Sequence, residues 1–401
     1  DLPYEGFATL GNADLKFPEI TNEKGEKIQI TNGRFVPLEE SKDRRVRKEV
    51  FEKYYETFGS FKNTWATLYA GQVKQLMFYA RARKYSSTLE AAVDGNNVSP
   101  EVYKNLVEAV NDNLDKMHRY VKLRKKLLEL DELHMYDIYV PIVKDYDAKY
   151  TIEEAKELVL KAVEPLGTNY VNLIKKAFAE RWIDVVENEG KRNGAYSSGV
   201  YGVHPFVLLN FNGTLDNVFT LAHEMGHAMH SYFSNEAQNY LDSRYKIFVA
   251  EVASTTNEVL LMEYMLKNAK DNKERAYLLN HYMDSFKGTV FRQTMFAEFE
   301  KTSNEMAEAG EPLTHENLTE LYLNLNKKYY GEAMISDDLI GYEWMRIPHF
   351  YYNFYVYQYA TGFSAAVAIA NRILKEGQPA VDDYMKFLSS GCTKDPVSLL
   401  R

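Results

Sequence analysis

Apolar residues recur at helical spacing along most of this chain. The clearest run is Leu215, Val218, Phe219, Ala222, Met225, Met229 and Phe233, the pattern of one helix face. Thr214 or Asp216 can cap its start. A second run, Val249, Val252, Ala253, Val259 and Leu260, surrounds two glutamates between Phe248 and Leu261 and also reads as a helix. Upstream, the pattern predicts helix from Leu38 to Leu89 and a break from Gly95 to Pro100. Ser99-Pro100-Glu101 then opens another long helix, with proline at an early position. Thr151 and Glu154 form a capping-box pattern that opens one more. Beyond Arg244 the pattern predicts helix as far as Lys386, broken near Asp271, Gly310–Pro312 and Gly377–Pro379.

Extended segments are few. Leu15–Thr21 and Glu26–Thr31 flank Asn22–Gly25 as a hairpin. Asp131–Tyr150 mixes aromatic and β-branched residues, as a short strand or irregular stretch does. Gly194–Gly202 and Phe206–Phe211 read as two strands joined near His204-Pro205, and they lead straight into the Leu215 helix. An extended peptide can add to such a sheet edge through backbone hydrogen bonds. The glycines at 194, 199 and 202 permit close approach. A sheet that only supports the helix reads equally well. The expected fold class is mainly α, with a small antiparallel-containing sheet beside the Leu215 helix.

Composition narrows the function classes. A chain of 401 residues with 45% hydrophobic content can bury a sizeable core in one large or two ordinary domains. Its net charge is −9, which argues against nucleic acid as the main partner. The short basic run Lys42–Lys48 is offset by Glu39, Glu40 and Glu49 and reads as a solvated helix face. No apolar stretch approaches the length of a membrane span. Cys392 is the single cysteine, so no internal disulfide forms, and a reducing, cytoplasmic location is expected. The first residue is Asp1 rather than methionine, so a segment has been removed or the sequence is a fragment.

The apolar face of the Leu215 helix is interrupted by His223, Glu224, His227 and His230. His223-Glu224-x-x-His227 places two imidazoles one turn apart on one face, with a carboxylate beside the first. Burying these groups together is costly unless something pairs them. A zinc ion does so, and the pattern suits zinc-assisted hydrolysis, with Glu224 as general base. Satisfied core histidines are the plainer reading. His230 lies nearly two turns from His223, about 10 Å along the axis, so it is expected to hydrogen-bond around the site rather than ligate. The longer pattern with Gly at 230 and His at 233 is absent, since those residues are His230 and Phe233. The expected third ligand is Glu251, and Glu258, seven positions on, is expected to orient a ligand histidine. Solvated helix charges are the alternative for both glutamates.

Arg346–Gly362 carries His349, Tyr352, Tyr355, Tyr357 and Tyr359. Read as a helix, it puts His349, Tyr352 and Tyr359 near one stripe with Tyr355 flanking, and Tyr357 about 80° round from His349. Imidazole and phenol donors suit an oxyanion developing on a tetrahedral intermediate. An aromatic core stripe gives the same pattern.

Three segments together resemble the oligoendopeptidase F branch of the M3 zinc oligopeptidases. They are His223-Glu-Met-Gly-His227-Ala-Met-His-Ser-Tyr, Phe248-Val-Ala-Glu251-Val-Ala-Ser-Thr, and Ile347-Pro-His349-Phe-Tyr-Tyr-Asn-Phe-Tyr-Val-Tyr-Gln-Tyr-Ala-Thr-Gly. Phe291–Glu300 and Gly194–Gly199 are similar to the family as well. The resemblance implies a multi-helix, zincin-like catalytic domain over residues 1–401, one zinc ion, and endopeptidase action on short unstructured peptides. It matches His223, His227 and Glu251 to the zinc ligands and Glu224 to the general base. His349 and Tyr357 match the tract that supplies transition-state donors, together with Tyr352 and Tyr355. It further implies a helical region ahead of the residues present here, forming one wall of a substrate channel, and a short C-terminal end. An aminopeptidase and a zinc-stabilised peptide-binding fragment with little catalysis are the alternative functions.

Overall fold

The computed structural model describes residues 2–143 and 148–401. The chain forms two compact units. One comprises Asp1–Gly95, Ser99–Lys144 and Phe286–Tyr357; the other comprises Asn96–Val98, Asp145–Ser285 and Gln358–Arg401.

The first unit is helical around an aromatic core. Its main helices are Arg44–Gly59, Lys62–Ala82, Pro100–Asn111, Leu114–Leu127, Arg292–Glu308 and His315–Tyr330. The stretch expected to be helical from Leu38 to Leu89 is therefore several helices, with Asp43 capping one through Arg45 N–H. Tyr54, Tyr55, Trp65, Tyr69, Tyr103 and Tyr322 are fully buried. Glu343 lies among them, accepting from Arg292 at 2.6 Å, Arg346 at 3.0 Å and Tyr322 at 2.6 Å. Those cations outweigh the burial that opposes its charge, and hold its carboxyl down at about 2. The expected hairpin is present, Glu19–Thr21 antiparallel to Lys27–Gln29 with Ile20 opposite Ile28. Leu133–His134 pairs in parallel with Met334–Ile335. Of the Asp131–Tyr150 stretch, residues 144–147 lie outside the described part.

The Arg346–Gly362 tract is not one helix. Pro348–Tyr351 is a single 3₁₀ turn, Asn353 and Phe354 take left-handed φ values of 51° and 59°, and an α-helix begins at Tyr357. The cause is tertiary. Phe354 N–H donates to buried Glu300 Oε1 at 2.9 Å, and Gln72 Nε2 donates to Tyr351 O at 3.1 Å and Asn353 Oδ1 at 2.9 Å. Buried side chains thus take the backbone groups that a continuous helix would pair internally. The long helical region expected after Arg244 is likewise interrupted between Gly331 and Val356.

The second unit is built on two packed helices, a motif helix Leu215–Ala237 and a glutamate helix Ile247–Lys267. Thr214 caps the motif helix, its hydroxyl accepting from Asn217 N–H. Val218, Leu221, Ala222, Met225, Ala228 and Met229 are buried on one, and Val249, Val252, Ala253, Leu260 and Leu261 on the other. The helix Ile152–Ala162 carries the full Thr151–Glu154 capping box. A three-stranded sheet flanks the motif helix. Its central strand Phe206–Leu208 pairs in parallel with Ile183–Asp184 and antiparallel with the outer strand Tyr196–Ser198. Both expected strands exist, but shorter than their sequence limits.

Candidate active site

His223 and His227 project from one face of the motif helix with their Nε2 atoms 3.1 Å apart. Glu251, from the glutamate helix, brings Oε2 to 3.3 Å from His223 Nε2 and 3.5 Å from His227 Nε2. One potential ligand atom from each of the three lies within 4.8 Å of the others, the one such group among the described residues. His223 Nδ1 is bonded to Glu258 Oε1. With that nitrogen so engaged, Nε2 is the one turned to the cluster.

Electrostatics tie the group together. Burial disfavours the His223 imidazolium, but hydrogen bonds and charges from Glu251 and Glu258 overcome it and raise the ring to about 10. Burial also opposes the Glu251 carboxylate, yet His223 and His227 hold it far below its ordinary range. Both shifts favour positive charge at the cluster, which a dication can supply. Glu224 is 6% exposed, and its Oε2 has no hydrogen-bond partner among the described residues. Burial raises its pKa, with the neighbouring histidines pulling the other way. Two imidazoles, one carboxylate and an adjacent orphaned carboxylate oxygen fit a zinc ion and its water.

Several residues that sequence reasoning passed over hold this geometry. A Cβ on Gly226 would fall 2.5 Å from Ser254 Cα and 2.6 Å from Ala253 O. Only glycine lets the helices approach that closely. Asn257, fully buried, donates to Ala222 O at 3.1 Å and accepts from Tyr170 OH at 3.0 Å. Ser254 Oγ donates toward Glu251 Oε2 at 3.1 Å. Two signals were available in the sequence: a glycine inside a helix, which costs about 1 kcal/mol relative to alanine, and the polar run Ser254–Asn257 inside an apolar one.

His230 is not among the converging groups. It is buried, its ring stacks on Tyr245 at 3.6 Å, and its Nδ1 has no hydrogen-bond partner among the described residues. Burial, with the charge of His227, pushes it down to about 3, so it is neutral. The ring packs between Tyr245 and Phe387.

His349, Tyr352, Tyr355 and Tyr357 belong to the first unit. The rings of Tyr352 and Tyr355 lie 5.7 and 6.0 Å from that of His349. Tyr352 is exposed and shares a hydrogen bond with Tyr4 OH at 3.1 Å. Tyr357 is buried, with its ring 4.9 Å from Tyr103. His349, Tyr352 and Tyr355 thus form one ring cluster, and Tyr357 packs on Tyr103. Burial and then the charge of Arg292 lower the His349 pKa.

The model of peptidase family M3 matches residues 37–401. The chain is 55% identical to oligopeptidase PepF of Bacillus subtilis over 98% of its own length and 59% of that protein's. It is 46% identical to group B oligopeptidase PepB of Streptococcus agalactiae, over 99% and 66%. Among solved structures, a putative peptidase from Chlamydophila abortus superposes with a TM-score of 0.92 at 40% identity, covering all of this chain and 67% of that one. Oligoendopeptidase-F from Enterococcus faecium gives 0.82 at 43%, covering all of this chain and 66% of that one. The chain therefore spans 59% and 66% of the two curated relatives. With the helical fold, the His-His-Glu cluster and these likenesses in hand, the chain belongs to peptidase family M3, in its oligoendopeptidase F branch.

Proposed function

We propose that this protein is a zinc-dependent endopeptidase that hydrolyses internal bonds of short, unstructured oligopeptides. The observation that carries the proposal is the convergence of His223 Nε2, His227 Nε2 and Glu251 Oε2 beside the buried Glu224 carboxylate. The relatives' names, oligopeptidase and oligoendopeptidase, support it.

His223, His227 and Glu251 would hold the metal. Bound there, zinc supplies Lewis acidity that makes water nucleophilic near neutral pH and polarises the carbonyl under attack. Glu224 accepts the proton of the attacking water and returns it to the leaving amine. Glu258 holds His223 in the orientation that frees Nε2, and Ser254 steadies the Glu251 carboxylate. Donation to the oxyanion by His349 and Tyr357, with Tyr352 and Tyr355 in the same tract, rests on that tract's likeness to the family's. Substrates are peptides, not nucleic acid or membrane. No described helix is long and apolar enough to cross a membrane, and a cytoplasmic location completes the proposal.

The deciding experiment combines metal analysis of the purified protein with mass spectrometry of a digested peptide library. Stoichiometric zinc and internal cleavage of N-terminally blocked peptides are expected. Cleavage only of peptides with a free amine supports an aminopeptidase. Peptide binding without hydrolysis at full zinc occupancy supports a zinc-stabilised peptide-binding module.

A further inference from the structure

The loop joining the strands Tyr196–Ser198 and Phe206–Leu208 follows the motif helix away from the His223–His227 pair. Gly199 stands against Ser231, one turn beyond His227 on the same face; a Cβ there would lie 2.7 Å from Ser231 Cβ. Asn235 Nδ2 then donates to Val200 O at 3.3 Å, and Tyr201 OH donates to Gln238 O at 3.1 Å. The Tyr201 ring meets Tyr240 edge-on at 5.5 Å. Backbone and side chains thus step along the helix in order, from the metal-ligand turn to its C-terminal end.

At that end several large apolar side chains are exposed among polar ones. Val200, Tyr201, Val203, Tyr240 and Leu241 are between 41% and 81% exposed. Their platform is pinned rather than loose. Leu241 N–H donates to Asn239 Oδ1 at 2.9 Å, Cys392 N–H donates to Asp242 O at 2.8 Å, and Gln238 Nε2 donates to Ser389 O at 2.8 Å. A backbone held this way presents its side chains at a fixed place, so less has to be ordered when an apolar partner binds.

Resting on the peptidase reading above, we propose that this patch is a remote subsite that grips an apolar or aromatic side chain of an extended peptide substrate. Continuity argues for this occupant. Tyr196–Ser198 is the outer strand of its sheet, so a peptide laid along it through backbone hydrogen bonds is led by the loop to the patch. From His227 to Gln238 the helix rises about 16 Å. An extended chain covers that in roughly five residues at about 3.3 Å each. The substrate class is therefore a peptide with a large apolar residue about five positions from the bond cut, on one side.

The test is a series of quenched-fluorescence peptides that share one cleaved core, with Leu, Phe, Gly or Asp placed three to seven residues out on either side. One position near the fifth, on one side only, is expected to lower KM about tenfold for Leu or Phe over Gly, with kcat little changed. Tyr240→Ser combined with Leu241→Ser, both on exposed side chains, is expected to erase that Leu-over-Gly ratio. A ratio that persists in the double variant, or no dependence at any position while the core is still cut, overturns this subsite alone. Failure to cut the core at all overturns the peptidase reading and this proposal with it. A concentration-dependent dimer that the same double variant dissolves would assign the patch to self-association instead, and would also overturn the subsite.

Discussion

Gly226 lies so close to Ser254 that a single added methyl would sit 2.5 Å from the serine Cα. This contact sets the spacing of the two helices that carry the proposed metal ligands. Gly226→Ala is expected to force them apart, destabilising the protein by about 1–3 kcal/mol and weakening metal retention together with it. Urea unfolding and competition for zinc with a chromogenic chelator measure the two effects. A variant as stable and as metal-retentive as the wild type would remove glycine from the account of the site.

Glu224→Gln keeps the size of the side chain and removes its basicity. Zinc content is expected to stay unchanged while peptide turnover falls by at least about 100-fold. Stopped-assay kinetics beside elemental analysis decide the matter; retained cleavage in the zinc-loaded variant would show that another group takes the proton.

Glu258 and Ser254 each bond to a member of the cluster, one to His223 Nδ1 and the other to Glu251 Oε2. Glu258→Ala and Ser254→Ala are each expected to weaken zinc binding by about 10–100-fold. Cobalt substitution gives a second readout, because a loosened ligand alters the visible spectrum of the bound ion. Unchanged affinity and spectrum would reduce both residues to packing.

Glu300 in the first unit gives a pH-dependent stability. It is buried with one oxygen bonded to Phe354 N–H and the other without a partner among the described residues. Burial raises its carboxyl to about 8 from 4.5. Below pH 4.5 folded and unfolded chains both keep the proton. Between there and pH 8 the unfolded chain releases a proton that the folded one holds, so stability falls as pH rises, by at most about 1.4 kcal/mol per pH unit. Above that window the loss is constant. Glu300→Gln removes this contribution, so urea midpoints taken from pH 5 to 8 are expected to fall more steeply for the wild type than for the variant. Equal slopes would show that Glu300 ionises freely in the folded state.

What the sequence disclosed follows from how each feature is encoded. The motif helix and its cap were legible because the apolar period and Thr214 are local signals. The convergence of His223, His227 and Glu251 was legible because the two histidines lie one turn apart and all three interrupt apolar helix faces. The break at Asn353 and Phe354 was not, since it depends on Glu300 and Gln72, which lie 54 and 281 residues from the atoms they hold. The stacking of His230 on Tyr245 was hidden because it depends on how the chain folds back after the motif helix ends at Ala237. The aromatic period of that tract was real, but long-range hydrogen bonds decided its backbone.

The proposed metal donors His223 and His227 come from one helix and Glu251 from another, and a glycine contact and the Asn257 bridge keep those helices together. A bound cation would then act as a rivet for the second unit: it leaves when the helices part, and its escape into a scavenging dye would time that opening in the native protein before any global unfolding begins.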